Sequence, residues 1–78
     1  MEGQKIKQDA IHIGKNIREI RRAKGIGQTE LVQTIQLAGV EMTRETLVKI
    51  ERGIQHIYAS QLKAIRDALY TTYEELLK

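Results

Sequence analysis

The residues best able to do chemistry together lie in one stretch, Thr43-Arg44-Glu45-Thr46-Leu47-Val48-Lys49-Ile50-Glu51-Arg52. At about 100° per residue, a helix here gathers Leu47, Ile50 and Ile54 on one face. Its opposite face presents Glu45, Lys49 and Arg52, with Thr46 and Val48 at the margins and Arg44 near the N-terminal end. A helix fits the DNA major groove, where Arg44 and Lys49 can donate to guanine O6 and N7. Glu45 can accept from a cytosine amino group, and Thr46 can meet a base edge or a thymine methyl. The same pattern also describes the solvated face of any amphipathic helix, and an acid such as Glu45 complements the dipole of a first turn. The surrounding elements have to decide between these readings.

Other chemistries find little support. His12 and His56 are the only histidines and neither has a partner at metal-ligand spacing, so no metal site is expected. Glu74 and Glu75 are adjacent, and neighbours on a helix point about 100° apart, which is poor geometry for acid–base work. No nucleophile–base–orienter set and no phosphate-cradling glycine loop stands out. The chain therefore reads as a non-enzyme without a cofactor. Arg18, Arg21, Arg22 and Lys24 form a basic run, either a solvated face or, through Arg22 or Lys24, a contact to phosphate. Tyr58 and Tyr70 can stack on bases or pack beneath a loop.

Seventy-eight residues make one small domain, burying only about 60% of the surface its unfolded chain exposes. Without cysteine there is no disulfide or thiolate metal site to support it. No apolar run approaches the roughly 18 residues of a membrane span, and the opening Met-Glu-Gly-Gln-Lys is unlike a secretory signal. A cytoplasmic location is expected. The formal net charge is +3. Residues 1–53 carry 10 basic and 7 acidic side chains and residues 54–78 carry 3 of each, so the whole excess lies in the first two thirds. That bias is compatible with a polyanionic partner without demanding one.

Apolar residues recur at helical spacing. Ile13, Ile17 and Ile20 fall at i, i+4, i+7; Leu31 and Ile35 at i, i+4; Leu47, Ile50 and Ile54 at i, i+3, i+7; Leu62, Ile65 and Leu69 likewise. Together with the absence of proline, these stripes predict an all-α bundle. Gly25 and Gly27 bracket a break after Lys24, and Gly27 with Glu30 makes a weak capping box for the second helix. Gly39 ends that helix, Thr43 caps the third, and Gly53 stops it. A short loop over 54–59 leads to a fourth helix over about 60–70. Thr71 or Thr72, with Glu74 or Glu75, opens a last turn. Residues 1–8 read as a loose arm and 9–78 as the domain.

In that order, Gln28-Thr-Glu-Leu-Val32, a glycine followed by Val40, Thr43-Arg44 and Lys49-Ile-Glu-Arg-Gly53 resemble the Xre family of helix-turn-helix domains, which includes the repressor and Cro proteins of lambdoid phages. The resemblance extends over about 13–77, with 13–25 similar to the family's first helix and 62–69 and 74–77 to its fourth and fifth. It implies a compact five-helix lambda-repressor-like bundle. It implies that Gln28 binds a DNA phosphate and braces the recognition helix, that Thr43, Arg44, Glu45, Thr46 and Lys49 face bases or adjoining phosphates, and that Arg52 contacts the backbone. It also implies a structural ion pair between Arg21 and Glu51. The chain departs from the family in three ways. The segment from Gln28 to Ile50 is about five residues longer, with the excess at 36–42; Val32 replaces a small alanine; and the 54–59 loop lacks a phosphate-binding Lys or Arg.

The function so implied is sequence-specific double-stranded DNA binding by a homodimeric transcriptional regulator, a repressor, with half-sites about one helical turn apart. Exposed residues near Tyr70, Tyr73 and Leu77 are the candidates for the dimer face. The alternative is a protein-interaction module with the same fold, such as an antitoxin or anti-repressor, which the uncharged 54–59 loop favours. Steep loss of affinity with salt separates a DNA reader from a protein binder with an apolar contact surface.

Overall fold

The computed structural model describes residues 5, 6 and 12–78. Five helices follow one another: α1 (Ile13–Ala23), α2 (Gln28–Leu37), α3 (Arg44–Glu51), α4 (Ala59–Leu69) and α5 (Tyr73–Leu77). The fold is thus the all-α, five-helix bundle expected, with α2 and α3 in the places of the helix-turn-helix. No helix among the described residues is long and apolar enough to cross a membrane.

The apolar stripes meet in one core. Ile13 and Ile17 of α1, Leu31 and Ile35 of α2, Leu47 and Ile50 of α3, Ile65 and Leu69 of α4 and Leu76 of α5 are all essentially inaccessible to solvent. α1 packs against α3, α4 and α5, and α2 packs against α3 and α4. Val32, where the resemblance places a small alanine, is buried at the same core. The long α2–α3 connection is anchored as well. Met42 is buried and Val40 half-buried against the core, while the Gln36 side-chain amide donates to the Met42 carbonyl at 2.7 Å.

Helices α1 to α4 stop in the same way. In each, the residue after the last turn adopts a left-handed conformation and the next N–H reaches back to the final turn: Ile26 to Arg21, Val40 to Ile35, Ile54 to Lys49 and Thr71 to Arg66. Glycine occupies the left-handed position in the first three. In α4 it is Tyr70, at φ 53°, where a β-carbon crowds the carbonyl oxygen at a cost of roughly 1–2 kcal/mol. The starts are capped in turn. Thr43 accepts from the Thr46 N–H at 3.1 Å and Thr72 from the Glu75 N–H at 3.1 Å. The Gly27 N–H donates to Glu30 Oε1 at 3.4 Å.

Two features depart from the sequence reading. Ile54 does not extend the α3 stripe, because Gly53 (φ 77°) turns the chain out of the helix and leaves Ile54 62% exposed. The core position is filled by Ile57, fully buried, from within the segment expected to be a loop. There, β2 (Ile57–Tyr58) pairs antiparallel with β1 (Lys5–Ile6), Lys5 opposite Tyr58 and Ile6 opposite Ile57. Of the arm expected over 1–8, these two residues alone are described; the rest of it, and residues 9–11, lie outside the described residues.

Ile57→Ala is expected to lower the unfolding free energy by about 2–5 kcal/mol, while Ile54→Ala stays within about 0.5 kcal/mol. Urea denaturation of the two variants checks this, and equal losses would show that the core assignment is wrong. Tyr70→Gly, which removes the left-handed strain from an exposed side chain, is expected to raise the melting temperature, by up to about 1 kcal/mol of added stability.

Candidate functional site

α3 is held from behind by a single carboxylate. Glu51, buried at the end of the helix, accepts from Arg21 Nε at 2.7 Å through Oε2 and from Arg21 Nη2 at 2.9 Å through Oε1. Gln28, the first residue of α2, donates from Nε2 to the same Oε1 at 3.2 Å. The remaining Arg21 nitrogen donates to the Ile26 carbonyl in the α1–α2 turn at 2.9 Å. One carboxylate therefore joins α1, α2 and α3, and every nitrogen of the guanidinium fork is used. Hydrogen bonding to Glu51 raises the Arg21 pKa above the ordinary guanidinium value and outweighs the opposing effect of burial. Gln28, expected on a phosphate, thus has its amide donor turned toward Glu51 in this structure.

With its inner face fixed, α3 turns Arg44, Glu45 and Lys49 fully outward. Thr43 and Thr46 behave differently. The Thr43 hydroxyl caps the helix and also donates to Thr46 Oγ1 at 3.0 Å. Thr46 accepts that bond, which leaves its own hydroxyl proton available to an acceptor outside the helix. Arg52 follows α3 as its C-cap residue and is exposed.

Two open clefts flank the outward residues. One, of about 560 Å³, lies between α1 and α3 and is lined by Arg18, Arg21, Arg22, Gln28, Val48, Glu51 and Arg52. The other, of about 530 Å³, runs from the α2–α3 connection through Thr43 and Thr46 to Gln55, Tyr58, Ser60 and Gln61. The structure therefore brings Gln28 and Arg52 together on one side of α3 and Thr43 and Thr46 on the other. Arg44, Glu45 and Lys49 line neither.

Sequence reasoning offered Lys24 either as part of a solvated face or, like Arg22, as a phosphate contact. Its Nζ instead donates to the Leu69 carbonyl at 2.6 Å and the Tyr70 carbonyl at 3.1 Å, closing the C-terminal end of α4. It also missed that Arg18 and Arg22 share a cleft with Gln28 and Arg52; their i, i+4 spacing was the available signal. Among the described residues, no group of three His, Cys, Asp or Glu side chains is placed to hold a metal ion, and no buried side-chain nitrogen or oxygen lacks a hydrogen-bond partner.

This order of helices, with an exposed third helix braced by the first two, defines a helix-turn-helix fold related to that of the lambda repressor and Cro regulators. Among solved structures, the chain is similar to the restriction-modification controller protein C.AhdI from Aeromonas hydrophila. The TM-score is 0.76 and the sequence identity 26%, over 88% of this chain and 97% of that one. No protein-family model matches the chain, and no curated protein does.

Removing one partner of a buried ion pair strands the other, at about 3–5 kcal/mol. Glu51→Ala is accordingly expected to lose that much stability in chemical denaturation, while the paired replacement Arg21→Met with Glu51→Leu recovers most of it. A Glu51→Ala protein as stable as the parent would remove the brace from the account of α3.

Proposed function

We propose that this chain is a sequence-specific double-stranded DNA-binding regulator of transcription, a repressor, with α3 as the helix that enters the major groove. The observation that carries the reading is the outward display of Arg44, Glu45 and Lys49 on a helix whose opposite face is locked by Arg21, Glu51 and Gln28. A helix reading base edges must be rigid in roll as well as position, since a rotation moves every side chain to a different base. Arg44 supplies the strongest preference, a guanidinium fork matched to guanine O6 and N7. Lys49 and Thr46 donate to base edges, Glu45 accepts from cytosine, and Thr43 lies beside the adjoining phosphates. Arg52 takes the sugar–phosphate backbone, and Gln28 reaches it through the amide N–H that it does not give to Glu51. The likeness to a restriction-modification controller protein supports a regulatory role.

The resemblance to phage repressors supports a homodimer spanning two half-sites one helical turn apart. The candidate dimer face carries Tyr70, Tyr73 and Leu77, all exposed apolar side chains. A second reading, a protein-interaction module such as an antitoxin, is favoured by Leu37 and Ile54, which are 89% and 62% exposed away from α3's outer face.

The test is selection of bound duplexes from a randomised pool at about 150 mM salt, where non-specific contacts are weakened. The parent is expected to enrich a palindrome or half-site. Arg44→Ala is expected to relax one or two positions of it by about 1–3 kcal/mol each, with an unchanged melting temperature. No enrichment by a correctly folded parent would overturn the DNA-reading assignment in favour of a protein ligand.

A further inference from the structure

The cleft between α1 and α3 concentrates more positive charge than the fold pairs. Four arginines and one glutamate line it, leaving three positive charges in one concavity, as many as the formal net charge of the whole chain. Arg21 is neutralised by Glu51. Arg18, Arg22 and Arg52 are exposed, and none of them has an ion pair among the described residues. Arg22 and Arg52 suit the C-terminal ends of α1 and α3, but Arg18 and Arg22 stand at i, i+4, where like charges on a helix repel. Fold stability therefore accounts for the two end residues singly and not for three cations gathered in one cleft. An anion seated among the three does, because guanidinium groups bind phosphate through paired, charge-assisted hydrogen bonds.

We infer that Arg18 and Arg22 of α1 join Arg52 in gripping a backbone phosphate of the DNA, so that the first helix is part of the binding surface. This rests on the DNA-binding reading above and adds two residues to it. Val48 gives the cleft an apolar wall, and the Arg21–Glu51 pair forms its back. Among the described residues Glu51 is the only acidic one lining the cleft, and both of its oxygens are engaged by Arg21. Its charge is thereby compensated where the phosphate would approach. The site lies beside the outward face of α3, on the side where Gln28 and Arg52 emerge, so a strand followed by α3 passes its mouth. It also supplies the basic residues that the 54–59 loop lacks.

The experiment compares the full-length parent with Arg18→Ala/Arg22→Ala. Affinity is measured for the selected duplex and for a random one between about 50 and 200 mM salt. Loss of this phosphate contact is expected to flatten the slope of log K against log salt by up to about 0.9, equally for both duplexes. Base preference should be unchanged. The melting temperature of the free protein should stay level or rise, which a structural role for the two arginines would not allow. Parallel salt slopes overturn the inference, whatever the melting temperature does. Chemical shifts of the arginine Nε groups on adding inorganic phosphate supply a second arm. Shifts at Arg18, Arg22 and Arg52 with parallel slopes would assign the cleft to a free anion and overturn the DNA backbone as its ligand. A parent that binds neither duplex overturns the DNA-binding reading itself, an outcome distinct from a parent that binds and a variant that matches it.

Discussion

The bidentate contact between Arg21 and Glu51 is the constraint on which the rest of the molecule depends. Two charges taken out of water are expensive to bury, and their attraction repays that only when geometry is good and the remaining hydrogen-bonding groups are filled. Here both oxygens and all three guanidinium nitrogens have partners. An apolar contact of the same size would hold α3 against α1 but would tolerate many rolls of one helix on the other. A planar fork on a planar carboxylate tolerates few. Gln28 adds α2 to the same carboxylate, so the angle between the two helices of the helix-turn-helix is set at one point.

α1 is the hub of the domain in a second sense. Two of its polar side chains, and that of the residue just after it, each hold a different neighbour. Asn16 donates to the Leu76 and Lys78 carbonyls at 2.9 Å each, Arg21 holds α3, and Lys24 closes α4. Amide and ammonium donors at helix C-termini satisfy carbonyls that have no partner within their own helix, and the Lys24 charge also suits the negative end of the dipole. The apolar stripe of α1 supplies the adhesion, while these polar contacts fix the neighbours' positions along and around it.

Much of this was legible in the chain. The stripes of Ile and Leu at helical spacing located four helices, Gly39 marked the end of α2, and Thr43 and Gly53 marked the limits of α3, because the residues that start and stop helices act locally. What depends on distant partners was not legible. Ile54 fits the α3 stripe on paper, and only the turn at Gly53 sends it outward and lets Ile57 take the core position. The pairing of β2 with β1 joins segments some fifty residues apart, which no local pattern announces. Lys24 read as part of a solvated face or as a phosphate contact because its partners, two carbonyls at the end of α4, carry no side-chain signature. Arg18 and Arg22 were visible as a basic run, but their cleft exists only once α3 is docked against α1.

Tyr70 connects these points. It occupies the left-handed position that glycine fills at the ends of α1, α2 and α3, and its ring is 87% exposed. Beyond it, α5 has five residues, far too few to persist as a helix alone in water. Asn16 grips the far end of α5, and Lys24 grips the Tyr70 carbonyl just before it. The C-terminal segment thus behaves as a latch whose two catches sit on or beside α1 and whose hinge is already under tension. Released, it would bare Leu69 and Leu76 and free Asn16 and Lys24 in one step.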